Sequence, residues 1–245
     1  MFHIKNNIAA GITLIALLTT TAALAKTGDS AAPKAGDTAQ AQVSAQPVSG
    51  TASTDSADPV KLRSGSGNPV EGKEKSELCQ SCHGKEGISL EPLIPKLAGQ
   101  YANYIAKQLR NFQSGARVHQ IMAAIAETIS NEDLADITAY FASQTMMKGD
   151  GTEGNPLGKK LFLEGDMTRM MVACVNCHGV NGKGKTPRNS VFPVLGGQHK
   201  DYLRGQLLNF RGGDRANSPG GVMNIITQKM TDAELEALVD YISRL

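Results

Sequence analysis

Cys79-Gln80-Ser81-Cys82-His83 and Cys174-Val175-Asn176-Cys177-His178 are two copies of one pattern, C-x-x-C-H. That spacing is the attachment sequence of a c-type haem. Two thiols add across the two vinyl groups of one porphyrin. The thioethers then tether the next residue, a histidine, beside the iron as its proximal ligand. All four cysteines of the chain fall in these motifs, so none remains for a disulfide or a nucleophile. Two covalently bound haem c groups are therefore expected, on Cys79, Cys82, Cys174 and Cys177, with His83 and His178 on the irons. The competing readings of C-x-x-C are a redox dithiol and half of a zinc site. A zinc ribbon puts roughly 12 to 20 residues between its pairs, whereas 91 separate Cys82 from Cys174.

From residue 67 onward the chain is written twice. Gly67-Asn68-Pro69 matches Gly154-Asn155-Pro156, and each Asn can cap a helix that starts on Pro. Pro95 to Arg117 aligns without gaps on Pro193 to Arg215, with 11 of 23 positions identical at an offset of 98. Those identities include Gln100, Tyr104, Gln108, Leu109, Phe112 and Arg117. Residues 101–113 read as a helix with Tyr104, Leu109 and Phe112 among its core candidates. Ser130 before Asp133 and Thr231 before Glu234 mark the start of a last helix in each half, the second as a capping box. No convincing alternating strand appears, so the fold class expected is all-α. The halves meet in the polar, Gly-rich run 148–154, which gives domains at 67–148 and 149–245.

Each iron needs a second axial ligand, and a Met thioether there raises the reduction potential. Nine methionines compete. Met122 lies 18 residues before Tyr140 and Met223 lies 18 before Tyr241, so the repeat register singles out one Met per half, in the loop before the last helix. His119 is the substitute in the first half, and nothing corresponds to it in the second. Met167, Met170 and Met171 sit just upstream of Cys174, on the proximal side, Met146 and Met147 follow the last helix of their half, and Met230 aligns with Ile129, so they fit less well; core filling is the general alternative for any Met. His199, after Gln198 at a helix start, reads as a surface residue or as one near a haem edge. An iron held by His and Met has no open position for oxygen, peroxide or substrate, which points to electron transfer rather than catalysis.

The N-terminus differs in kind. Lys5, an apolar run 8–18 and Ala23-Leu24-Ala25 read as a signal peptide over 1–25, cleaved to leave Lys26 first. An uncleaved anchor is the alternative, although 18 residues with four threonines is short for a span. Residues 26–66 are rich in Ala, Ser, Thr, Gly, Asp, Pro and Gln and lack aromatics, the composition of a disordered linker. It reads as a solvated tail, or as a tether if an anchor is kept. Haem attachment to C-x-x-C-H takes place outside the bacterial cytoplasmic membrane, so the signal and the motifs agree on the periplasm, with tethering to the inner membrane as the variant.

The two motif-bearing halves, the repeated P-x-L-x-G-Q-x-x-x-Y segment and the two register methionines resemble a dihaem cytochrome c of the c4 type, over roughly residues 67–245. The resemblance implies two tandem class I cytochrome c domains about a pseudo-twofold axis, with haem edges near the interface. It implies a periplasmic, often membrane-associated carrier between a quinol-oxidising complex and a terminal oxidase. It assigns His83 and Met122 to the first iron and His178 and Met223 to the second. It also makes the carbonyls of Pro95 and Pro193 acceptors of the proximal His ring proton, a contact that fixes tautomer and ring plane.

Arg117 and Arg215 recur in polar loops and read as propionate binders or loop closers, or as solvated side chains. Lys183, Lys185 and Arg188 form a basic run after the second motif that either steers an acidic partner or is a solvated loop. Formal net charge is +2, and the basic residues are not interleaved with aromatics, so nucleic acid is not a partner. The partners expected are redox proteins, with no small-molecule substrate. Two other functions compete: the dihaem subunit of an oxidoreductase such as a flavin-dependent sulfide dehydrogenase, and a dihaem peroxidase. The chain has no dinucleotide fingerprint, and two matched methionines oppose the open site a peroxidase needs.

Overall fold

Asn68 caps α1 (Pro69–Lys75) by accepting the Val70 amide, and Pro69 occupies the first turn, where no amide partner is required. Asn155 does the same for α6 (Pro156–Leu163). The structure, a computed structural model, describes residues 65–185 and 191–245. The leader, residues 26–64 of the linker and Arg188 lie outside the described residues.

The first half continues with α2 (Glu77–His83), α3 (Ala102–Gln113), α4 (Gln120–Glu127) and α5 (Asn131–Ser143). The second continues with α7 (Val175–His178), α8 (Lys200–Gly212), α9 (Val222–Thr227) and α10 (Asp232–Arg244). Among the described residues there is no β-strand, only a bridge between Asp166 and Met171. The expected caps are present: Ser130 accepts the Asp133 amide, and Thr231 and Glu234 form a reciprocal capping box. Met122 and Met223 lie on α4 and α9. The loops expected to carry them are helical turns instead.

Each half has its own core. Ile105, Leu109 and Phe112 of α3 pack on Leu134, Ile137 and Phe141 of α5. In the second half, Leu161 and Phe162 of α6 and Leu203 of α8 pack on Leu235, Leu238 and Ile242 of α10. Each such side chain contributes about 1.5–3 kcal/mol on burial. Tyr104, expected in the core, is only half-buried. Backbone pairing changes halves at the junction. Met147 donates to Ala98 O in the first half, whereas Gly149 donates to Leu245 O in the second.

The first helix of each half crosses the last at a glycine. A Cβ on Gly72 would stand 1.9 Å from the Asp136 carbonyl oxygen, and one on Gly158 would stand 1.9 Å from that of Ala237. Backbone, not a movable side chain, fills the space. Gly158→Val should therefore destabilise the second half by about 1–3 kcal/mol, the usual cost of overpacking. Denaturant unfolding would measure it.

Arg169 ties the 3-10 turn Met167–Arg169 to the start of α10. It donates to Asp166 at 2.7 Å and to Glu234 at 2.5 and 3.1 Å. The Arg169 bond, then the capping bonds with Thr231, hold the Glu234 carboxyl down to about 2 from its usual 4.5. A lowered folded-state pKa contributes stability above the unfolded value, and that stability is lost as protons bind the folded state. Stability should accordingly fall between about pH 4.5 and about pH 2. Glu234→Gln should flatten that slope in urea midpoints measured across the interval.

Candidate functional site

In a helix, residues i, i+3 and i+4 share a face. Folding 77–83 and 175–178 as helices therefore turns two sulfurs and an imidazole of each motif to one side. His83 and His178 are buried, at 7 % and 6 % exposure. Nδ1–H of His83 donates to Pro95 O at 2.8 Å, and that of His178 to Pro193 O at 2.9 Å. This is the expected second contact of a proximal histidine. It fixes the tautomer and leaves Nε2, which has no hydrogen-bond partner among the described residues, available to a ligand. Burial lowers the pKa of both rings, against the carbonyl contact, which raises it.

The four cysteines are free of disulfides. Burial raises the Cys79 thiol and pushes that of Cys174 up to about 12. Among the described residues no three His, Cys, Asp or Glu side chains converge as a zinc site would demand.

One continuous cavity of about 500 Å³ runs between the halves. Cys79, Cys82, His83 and Met122 line it from the first half. Cys174, Cys177, His178 and Met223 line it from the second. Its walls include the repeat pairs Leu109 and Leu207, and Phe112 and Phe210. His119, the alternative ligand, also lines the cavity, but its Nδ1 accepts the Met122 amide as the cap of α4. Met147, Met171 and Met230 are buried in cores, whereas Met167 and Met170 are exposed.

The junction is built of reciprocal contacts. Gln100 donates from Nε2 to Val194 O and accepts the Val194 amide. Gln198, its repeat partner, makes the same two bonds to Lys96, the repeat partner of Val194. Both grips fall one residue after the prolines that hold the histidines. Arg117 donates across to Tyr202 and Gln206, and Arg215 donates back to Tyr104 and Gln108. Each guanidinium also covers a phenylalanine of its own half, Arg117 over Phe112 at 4.7 Å and Arg215 over Phe210 at 4.4 Å. The arginines thus bind the opposite half, a role the sequence did not disclose. Burial alone would raise the Tyr202 hydroxyl, but Arg117 and Arg215 outweigh it and lower it.

Two other polar residues are more enclosed than their local sequence suggested. His199 donates through Nε2 to Ser89 O across the junction. Lys183 donates to the carbonyls of Met147 and Gly196 and to a main-chain oxygen of Leu245, and burial, then Lys148 and Lys96, brings its pKa down to about 8. Lys183 is therefore not a member of a free steering patch.

The residues fit two haem c groups. Two sulfurs and one free imidazole nitrogen per half share a cavity with apolar walls. Lys107, Arg117 and Arg215 also line it, with no carboxylate among the described residues paired to them. Arg215 is buried, and burying a charge without a counter-ion is costly; the propionates of haem would supply the missing anions. When bound, haem c supplies an iron that takes up and releases one electron.

Family comparison agrees. The family described as Cytochrome c matches residues 157–245, and the one described as Cytochrome C oxidase, cbb3-type, subunit III matches 74–141. Cytochrome c4 of Pseudomonas aeruginosa is 38 % identical over 186 residues, covering 75 % of this chain and 92 % of that protein. The chain belongs to the cytochrome c4 family. The crystal structure of reduced recombinant cytochrome c4 from Pseudomonas stutzeri superposes with a TM-score of 0.67 at 37 % identity, over 73 % of this chain and 99 % of that one. A protein named Thiosulfate dehydrogenase electron acceptor from Stutzerimonas stutzeri is 34 % identical over 68 % of this chain and 78 % of its own length. As a cytochrome c4, the protein is a dihaem electron carrier of two cytochrome c domains and not an enzyme.

The repeat contained the signal for the junction residues. Gln100, Tyr104 and Gln108 are polar positions repeated identically in Gln198, Tyr202 and Gln206, and such identity at non-core positions marks a shared contact.

Proposed function

We propose that this cytochrome c4 carries electrons singly in the bacterial periplasm, from a quinol-oxidising complex to a terminal oxidase. Thioethers from Cys79 and Cys82 hold the first haem and those from Cys174 and Cys177 the second. His83 and Met122 ligate the first iron, and His178 and Met223 the second. The observation that carries the ligand reading is the shared cavity, since each Met lines it together with the His of its own half. The units of transfer are residues 67–148 and 149–245. The periplasmic assignment rests on the sequence of residues 1–25, and a retained leader would make 26–66 a tether to the inner membrane.

A second reading is favoured by one comparison. The relative named as a thiosulfate dehydrogenase electron acceptor suggests a sulfur-oxidising dehydrogenase as donor. The dihaem subunit of a flavin-dependent sulfide dehydrogenase belongs to the same class.

The deciding experiment is an optical spectrum of the mature protein with a pyridine haemochrome count, followed by reduction with isolated donor complexes. Two thioether-linked haems with a Met–Fe(III) charge-transfer band are expected, with fast reduction by the quinol-oxidising complex. Faster reduction by a sulfur-oxidising dehydrogenase would replace the pathway. Two haems without the band would overturn the methionine assignment.

A further inference from the structure

Ahead of the haem motifs the two halves differ in length. Cys79 follows Pro69 by 10 residues, whereas Cys174 follows Pro156 by 18. The extra residues, 165–172, carry the 3-10 turn Met167–Arg169 and close over the second half. Met171 is buried in the core with Met230 and Leu238. Arg169 donates to the main-chain oxygen of Lys229 and to the Glu234 carboxylate.

The first half has the receiving surface without the insert. At the repeat offset of 101, Ile129 and Ile137 stand for Met230 and Leu238, Thr128 for Lys229 and Asp133 for Glu234. All four line a recess of about 150 Å³, whose other apolar walls are Leu78 and Ile125. Lys75, Thr128, Ile129 and Asp133 line this recess and not the haem cavity, whereas Cys79 lines both. The main-chain oxygen of Thr128 has no donor among the described residues, although that of Lys229 is met by Arg169. Lys75 takes only part of the place of Arg169. It meets Asp133 at 3.1 Å, but also Asp136 at 2.5 Å and Glu71 at 3.4 Å. One ammonium against three carboxylates leaves the recess short of positive charge.

We propose that the recess is a docking socket for a redox partner protein, filled by a segment that presents an arginine or lysine beside an unbranched or Leu-like apolar side chain. The second half shows what such a surface accepts: Arg169 on the carboxylate and the carbonyl, and Met171 on the apolar floor. Both are used within their own half, so the occupant of the first-half recess comes from another molecule. The apolar side chain is the anchor, and the cation sets orientation and encounter rate. The shared wall at Cys79 puts the docked segment next to a haem-bearing cysteine, as a partner that exchanges electrons requires. This inference deepens the carrier reading above and rests on it.

The test uses the mature dihaem protein and three variants. Second-order rate constants for electron exchange are measured with the isolated quinol-oxidising complex, terminal oxidase and sulfur-oxidising dehydrogenase, across a salt series. Thr128→Trp, which fills the recess, should lower the rate constant with at least one of them by roughly fivefold or more, with haem count, Met band and both potentials as in the parent. Asp133→Asn should lower the same rate constant about two- to fivefold and flatten its salt dependence. Glu153→Gln makes the same change of charge at an exposed residue of the second half and should leave the rate as it was. Parental rates in Thr128→Trp with every complex overturn the proposal. Equal effects of Asp133→Asn and Glu153→Gln overturn it too, since they would reflect net charge alone. A dimer of the parent in sedimentation that Thr128→Trp dissolves would assign the recess to a second copy and overturn it likewise. Asp133→Asn decides if Thr128→Trp does not yield protein with two haems. A parent reduced only by the sulfur-oxidising dehydrogenase sinks the quinol pathway and leaves the recess to be judged with that donor. A parent that exchanges electrons with none of the three sinks the carrier reading and this inference with it.

Discussion

Met223→Ala in the mature dihaem protein should remove about half of the Met–Fe(III) charge-transfer absorbance and leave the haem count at two. The covalent anchors Cys174 and Cys177 are untouched, and His178 stays held by Pro193 O. Only the thioether side of the second site is lost. Axial ligands set haem potentials over a range of about 0.8 V. The potential of the altered site should therefore drop on the order of 0.1 V or more while the first site moves far less. Carbon monoxide should bind the reduced variant at one site and the parent at none. Met122→Ala should give the mirror result. Full absorbance in Met223→Ala would show that another group serves that iron. His119→Ala separates the first-half alternatives: it should weaken the cap of α4 while leaving the band in place.

Gln100→Leu with Gln198→Leu should open the junction. Each glutamine satisfies both the N–H and the C=O of one residue in the other half, Val194 or Lys96. Leucine leaves those groups unpaired, at about 1–3 kcal/mol for each one that stays buried. The loss is bounded because the halves can part and hydrate them. Partial separation is therefore the expected outcome, with an increased radius of gyration by small-angle scattering. Slower transfer between the two haems should accompany it. Each half should still unfold cooperatively, since the cores around Phe141 and Phe162 do not involve the glutamines. An unchanged radius in the double variant would mean that the remaining contacts across the junction, those of Arg117, Arg215, His199 and Lys107, suffice to hold it.

Local chemistry was the most legible part of the sequence. The Asn-Pro helix starts, the last-helix caps and the haem motifs each depend on residues a few positions apart. The His–Pro contacts are 12 and 15 residues apart and were implied by family resemblance. Contacts across the junction were harder to read. A repeat shows that Arg117 and Arg215 have equivalent roles, but it does not show whether a partner lies in the same half or the opposite one. The contacts of Lys183 and His199 are hidden for a related reason. Their neighbours in sequence are polar, and only tertiary packing against Met147 and Ser89 encloses them. The methionine segments were read as loops because six- and eight-residue helices carry little periodic signal. Their register, set by the repeat, did not depend on that assignment.

The reciprocal junction has the form of an isologous interface, in which residue i meets j and j meets i. In a homodimer every substitution appears on both sides of the axis, so no cation can stand on one side only. Joining the halves through residues 148–154 lifts that constraint. It also keeps the partners at a high effective concentration, whatever the dilution. One strand of chain thus turns a pairing of equals into a pair whose members can diverge. Lys96 opposite Val194 is a difference that two identical chains could not encode.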